Sequence, residues 1–140
     1  MEAPEYNTVD VYPIQAKDQN QIYPFYEALK KGILTTTKCL KCGNIHWPPR
    51  TLCPGCWSTD LEWIELPRTG EIDCYATQVV GLPPGFDPPI VFAIIKLGSG
   101  VKIFSKIVDT KPEDVRDGAR VELKVQEVSG GRVIPAWKVS

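Results

Sequence analysis

At 140 residues, 43% hydrophobic and 24% charged, with a formal net charge of -1, the chain can form one domain or two small ones around a real core. That balance speaks against nucleic acid, whose binding rests on many Lys and Arg contacts to phosphate. The longest apolar runs, such as Ile90 to Ile95, fall far short of the roughly 20 residues that cross a bilayer.

No basic n-region followed by an apolar h-region opens the chain, so a cytoplasmic, reducing compartment is expected. There, paired cysteines bind metal more often than they form disulfides. Residues 1 to about 20 are polar, carry Pro4 and Pro13 and follow no period, which reads as an extended or weakly ordered arm. A short helix is predicted from Pro24 to about Lys31. Proline suits its first turn, Phe25 and Leu29 share a face, Lys30 and Lys31 suit its C-terminal dipole, and Gly32 can stop it. Arm and helix together make a first unit, 1–32. Residues 33–64 form a second, holding four paired cysteines. A unit below about 40 residues usually needs a metal or disulfides to fold.

From 65 to 140 the pattern changes to strands, with runs at about 71–80, 90–97, 101–108, 119–128 and 132–139. Val121, Leu123 and Val125 alternate with Arg120, Glu122, Lys124 and Gln126, the period of a strand with one buried face. Ser99-Gly100 and Ser129-Gly130-Gly131 supply tight connections, and K-P-E-D-V-R-D-G reads as a single helical or 3₁₀ turn. Five strands with such a turn before the fourth match an OB-type barrel. The fold expected is therefore mainly β: a short N-terminal helix, a cysteine ribbon and a five-stranded barrel. The loop from Gly81 to Pro89 is too rich in proline to extend a strand and reads as a stiff surface loop suited to contact.

The cysteines fall as C-L-K-C, ten residues, then C-P-G-C. Each C-x-x-C puts two sulfurs on one tight turn, and two such knuckles complete a tetrahedron from Cys39, Cys42, Cys53 and Cys56. A closed four-sulfur shell leaves no coordination position open, so the metal is read as structural zinc in a rubredoxin-like ribbon. Iron in the same shell is the alternative, as are a disulfide pair or free thiols. The fifth cysteine, Cys74, lies within a predicted strand and reads as a buried small hydrophobe. His46, the only histidine, has no second histidine or adjacent nucleophile and is given no catalytic role. No G-x-S-x-G, phosphate-cradling loop or clustered carboxylate pair is present.

These residues together carry a family resemblance. Y-P-F-Y-E-A-L-K-K-G-I-L, then C-L-K-C-G-N-I-H-W-P-P-R, C-P-G-C-W-S-T-D-L-E-W and R-T-G-E-I, resemble the DUF35 family of OB-fold, zinc-ribbon proteins associated with acyl-CoA enzymes. The likeness runs from about residue 20 to the end. It implies a non-catalytic accessory subunit, similar to the archaeal proteins that bridge acetoacetyl-CoA thiolase and hydroxymethylglutaryl-CoA synthase in the mevalonate pathway. Related modules accompany lipid-transfer-type thiolases or enoyl-CoA hydratases.

Two further sets of residues are singled out. In V-K-I-F-S-K-I-V, Lys102, Phe104 and Lys106 share one face of a strand, where an aromatic between two ammonium groups could stack adenine and hold phosphates of CoA. Arg50 is a second phosphate candidate. The bland alternative is a ring packed under a loop and lysines that only solvate the barrel. Tyr23, Phe25, Tyr26, Trp47 and Trp57 are more aromatic surface than a small ribbon can hide, and are read as a docking surface for a partner enzyme. Their alternative role is to cap the barrel from within. A single-stranded nucleic-acid module is the rival function. From Glu65 to the end, ten Lys and Arg face ten Asp and Glu, so no basic footprint supports it.

Overall fold

The computed structural model describes residues 12–83 and 86–140. Helix α1 spans Tyr23–Lys30 with Pro24 in its first turn, and it buries Phe25, Tyr26 and Leu29. It ends in a Schellman arrangement: Ile33 N–H donates to Ala28 O at 3.0 Å and Gly32 N–H to Leu29 O at 2.9 Å, satisfying two carbonyls the helix leaves open. Strands β1 (Thr35–Cys39) and β2 (Leu61–Glu65) pair antiparallel and form the stem of the ribbon.

The barrel follows: β3 (Thr69–Gln78), β4 (Ile90–Leu97), β5 (Lys102–Ile107), β6 (Arg120–Leu123) and, after a hairpin of β7 (Gln126–Val128) and β8 (Arg132–Ile134), β9 (Ala136–Val139). It closes in the order β3-β4-β5-β9-β6, the five-stranded topology expected. A 3₁₀ turn at Pro112–Asp114 precedes the fourth barrel strand, as the K-P-E-D segment predicts. Gly70 opens β3 because nothing larger fits: a Cβ there would lie 2.7 Å from Ile95 Cγ2 and 2.9 Å from the Lys96 carbonyl oxygen.

The last two predicted runs are each split. The chain leaves the barrel after Leu123, makes the β7–β8 hairpin, and re-enters at Ala136. Pro135 lies at the break, where a residue without an N–H cannot continue a ladder. Val121 and Leu123 are buried as predicted, while Val125, just past the strand, is only partly so.

One cluster of buried side chains runs from Phe25 and Leu29 through Leu34 and Leu66 into Ile72, Ile95, Ile103, Val121 and Trp137. Helix, ribbon stem and barrel thus share a core. The arm read over residues 1 to about 20 lies outside the described residues up to residue 11. Beyond that it is anchored: the buried Gln15 side chain donates to Val133 O at 2.7 Å and accepts from Val133 N–H at 3.1 Å. In the loop Gly81 to Pro89, residues 84 and 85 lie outside the described residues.

Candidate metal centre

Strand β1 delivers Cys39 at its end, the first knuckle turns back through Cys42, and the second carries Cys53 and Cys56. All four Sγ atoms lie within 4.8 Å of one another. Cys39 Sγ is 3.5 Å from Cys56 Sγ, and Cys42 Sγ is 3.5 Å from Cys53 Sγ. Those separations are far beyond a disulfide bond of about 2.05 Å. They fit sulfurs around one tetrahedral ion, which would sit about 3.8 Å apart for metal–sulfur bonds of about 2.3 Å.

The two knuckles repeat one hydrogen-bond pattern. In the first, Cys39 N–H donates to Asn44 O at 2.8 Å and Gly43 N–H to Cys39 O at 3.0 Å. In the second, Cys53 N–H donates to Ser58 O at 2.9 Å and Trp57 N–H to Cys53 O at 2.9 Å. Cys39 and Cys53 are buried, Cys42 and Cys56 exposed. The knuckles touch at Gly55, where a Cβ would lie 2.6 Å from the Asn44 side-chain nitrogen.

The thiols divide in the same two-fold way. The Cys42 backbone N–H, 3.4 Å from its sulfur, leads in drawing Cys39 down to about 6. At Cys42 the Asn44 N–H pulls down, but burial and the three neighbouring thiols prevail and push it up to about 12. Burial opposes ionisation of Cys53, yet the Cys56 and Gly55 N–H groups and the adjacent thiols lower it. The Ser58 N–H favours ionisation of Cys56, but the Cys39 thiol and burial raise it. Four sulfurs this close cannot all ionise unaided. A divalent cation relieves that repulsion, and the soft donor set suits zinc or iron.

His46 lies beneath the first knuckle, 4% exposed. Its N–H donates to Thr37 O at 2.9 Å, and its Nδ1 is 2.9 Å from Thr37 Oγ1. That hydroxyl also accepts the Arg50 N–H at 3.0 Å, so one threonine side chain ties the ring to the P-P-R segment. Burial, with the Arg50 charge second, lowers the imidazole pKa. The ring is a structural strut for the loop.

Cys74 corrects the sequence reading, for it is exposed. Ile72 pairs with Ile95 but Cys74 with Ile94, so a bulge at Asp73 inserts one residue and turns Cys74 to the outside of the barrel. The freed Asp73 carboxylate accepts from Lys102 Nζ at 3.1 Å.

The candidate ligand residues do not assemble into one place. Phe104 is 68% exposed and stacks on Phe92, with ring centroids 5.6 Å apart and planes 15° from parallel. Lys102 and Lys106 flank it along β5, Lys102 held by Asp73. Lys106 sits 5.9 Å over the Phe86 ring, and burial lowers its pKa. Arg50 lies elsewhere, on the ribbon, in a cleft with Trp57.

The aromatic set divides by burial. Phe25 and Tyr26 are buried, edge to face at 5.0 Å, and burial raises the Tyr26 pKa. Trp47 packs on Phe25 at 5.7 Å against the core. A helix this short turns its apolar face inward, so Phe25 and Tyr26 pack into the core, with the partly buried Trp47 against them. Tyr23 is half-buried under Lys17. Trp57 alone of the five is fully in solvent, 74% exposed. What the sequence reading missed is the equivalence of Gly43 and Trp57, each directly after the second cysteine of its knuckle, at φ 78° and φ 62°. Aligning C-x-x-C-G with C-x-x-C-W would have revealed it.

Comparison with known proteins places these units. Residues 27–62 match the family model of the ChsH2 rubredoxin-like zinc ribbon domain, and residues 63–126 that of the ChsH2 C-terminal OB-fold domain. A DUF35 domain-containing scaffold protein of Methanocaldococcus jannaschii is 40% identical over 109 residues, 76% of this chain and 77% of that one. The benzoylsuccinyl-CoA thiolase subunit BbsA of Thauera aromatica is 30% identical over 95 residues, 68% of this chain and 65% of that one. Among solved structures, a chain of the Ltp2-ChsH2(DUF35) aldolase superposes with a TM-score of 0.72 at 27% identity, covering 82% of this chain and 91% of that one.

Proposed function

Because the chain belongs to the DUF35 family, with a ribbon and a barrel of the ChsH2 type, we propose that it is a non-catalytic accessory subunit of a thiolase-type acyl-CoA enzyme. The observation that carries this reading is the closed sulfur cluster. Among the described residues it is the only group of three or more potential metal ligands, and four thiolates leave no position for substrate. We take the metal to be Zn²⁺, with Cys39, Cys42, Cys53 and Cys56 as its ligands and stability as its contribution. Relatives named as scaffold proteins and as a thiolase subunit support the partner class. Hydroxymethylglutaryl-CoA synthase is the second partner this reading names. No helix among the described residues is long and apolar enough to cross a membrane.

The outer face of β4 and β5 is the surface we assign to CoA. Phe104, stacked on Phe92 and flanked by Lys102 and Lys106, offers a ring for adenine and cations for phosphate. Exposed single ion pairs contribute only about 0–1 kcal/mol, and one is already shared with Asp73, so CoA affinity of the isolated chain is expected to be weak. The same face could take a nucleic-acid base, but the evenly balanced charge of the barrel gives it no field for a polyanion.

Co-expression with the acetoacetyl-CoA thiolase of its own organism tests the proposal. A complex of fixed stoichiometry with about one zinc per chain is expected, and no thioester turnover by the chain alone. Turnover above a buffer blank, or separate elution of the two proteins, would overturn it.

A further inference from the structure

Trp57 stands 74% exposed at the end of the second knuckle. It occupies the knuckle position that Gly43 occupies in the other half, and its φ of 62° lies in the left-handed region. Bulky residues avoid that region because Cβ crowds the neighbouring carbonyl. At Gly43 a Cβ would meet nothing within 4 Å, so only the backbone angle selects glycine there. At Trp57 the same angle is imposed on a tryptophan whose side chain then stands in solvent. Such an outlier points outward, to a role in contact.

The indole forms one wall of a cleft of about 480 Å³, with Gln21, Ile22, Arg50, Leu52 and Pro54 among the other walls. Leu52 is 39% exposed beside it. Thr51 Oγ1 and Gln21 Oε1, 3.3 Å apart, join ribbon to helix entry across the cleft, and the Arg50 backbone is fixed by its bond to Thr37. Arg50 is the only charged residue in the lining, and no carboxylate of the described residues lies within ion-pair distance of it. A preformed cleft with one exposed indole, one apolar neighbour and one unopposed guanidinium matches what dominates protein interfaces, where Trp and Arg are the commonest anchors.

We propose that this cleft docks a segment of the partner enzyme in which an apolar side chain sits beside an Asp or Glu. The apolar group would pack between Trp57 and Leu52, and the carboxylate would pair with Arg50 through two parallel hydrogen bonds. One cation suits one carboxylate, whereas a polyphosphate such as CoA would call for several. The proposal rests on the accessory reading above and gives it an address.

The test is titration of the zinc-loaded full chain into purified acetoacetyl-CoA thiolase of its own organism, for the wild type, Trp57→Gly and Arg50→Glu. Each variant is expected to bind at least tenfold more weakly while keeping full zinc content, and the Arg50→Glu loss should shrink as salt rises. Trp57→Gly should melt no lower than the wild type, because glycine accepts the backbone angle. Both variants binding within twofold of the wild type would overturn the proposal. So would a Trp57→Gly variant that binds weakly but melts several degrees lower, because Trp57 would then be serving the ribbon. If the wild type itself does not bind, the accessory reading falls and the docking cleft with it, a pattern distinct from unchanged variants.

Discussion

The two cysteine knuckles are the same backbone device written twice, and they differ where the metal makes no demand. Each buries its first cysteine, exposes its second, and closes with matching bonds from the first cysteine's N–H and to its carbonyl. Each also needs a left-handed residue next, and there they part: Gly43 in one, Trp57 in the other. The anchors differ as well. The first knuckle returns through His46, packed on Thr37, and the second through the buried Ser58, whose Oγ accepts the Asp60 N–H at 3.0 Å. Coordination geometry dictates the backbone. What the side chains add is then a separate question, and Trp57 is where the answers diverge.

The largest effect should treat the knuckles alike. Cys39→Ser and Cys53→Ser each remove the buried sulfur of one knuckle, and the two are equivalent. Structural zinc contributes on the order of 10–16 kcal/mol to a small fold, as much as or more than the typical stability of a whole domain, about 5–15 kcal/mol. Either substitution, or a chelator, should abolish zinc retention and the hydrogen-exchange protection of β1 and β2. Barrel amides in β3 and β4 should lose less, since their ladder is independent of the metal. Elemental analysis and exchange would check this, and a large difference between the two variants would break the equivalence.

A smaller effect should separate them. Gly43→Ala places a Cβ at φ 78° and is expected to destabilise by about 1–2 kcal/mol. Trp57→Gly relieves a similar strain, offset by about 0.4–1 kcal/mol from the greater freedom of glycine in the unfolded chain. Its net effect should lie near zero or be slightly stabilising. Thermal melting of zinc-loaded proteins would read both. Equal losses at the two positions would mean that the knuckle tolerates no exchange at either.

How much of this was legible in the sequence follows from how local each signal is. The four cysteines, the helix with its proline start and the 3₁₀ turn depend on residues close in sequence, and each was readable. Cys74 was not, because its orientation depends on a bulge that only pairing with β4 reveals. Alternation alone puts Cys74 on the same face as the buried Ile72; one inserted residue reverses that. Phe25 and Tyr26 were misplaced for a similar reason. The shared face of Phe25 and Leu29 shows that one side of the helix is apolar, but that this side meets the ribbon stem and the barrel and not a partner is a tertiary fact. The split of the last run had a readable cue in Pro135, whereas the split after Leu123 interrupts an unbroken alternation and had none.

The smallest predicted effect uses the two anchors. His46 titrates and Ser58 does not, so acid should loosen the first knuckle selectively. The folded-state pKa of His46 is lowered, chiefly by burial and then by Arg50, so below an unfolded value of about 6.5 the unfolded chain takes up the proton more readily. The stability His46 contributes is therefore complete above that value and is lost as pH falls toward the lowered folded pKa. One proton sets the limit, about 1.4 kcal/mol per pH unit. Thiolate protonation also weakens the site in acid, but it acts on both knuckles. His46→Asn separates the two causes, because the amide can hydrogen-bond Thr37 Oγ1 where Nδ1 does, in either direction, and does not titrate in this range. Melting of the zinc-loaded wild type and of His46→Asn between pH 7.5 and 5.5 should show the steeper decline in the wild type. Parallel declines would mean that the thiolates alone govern the acid response.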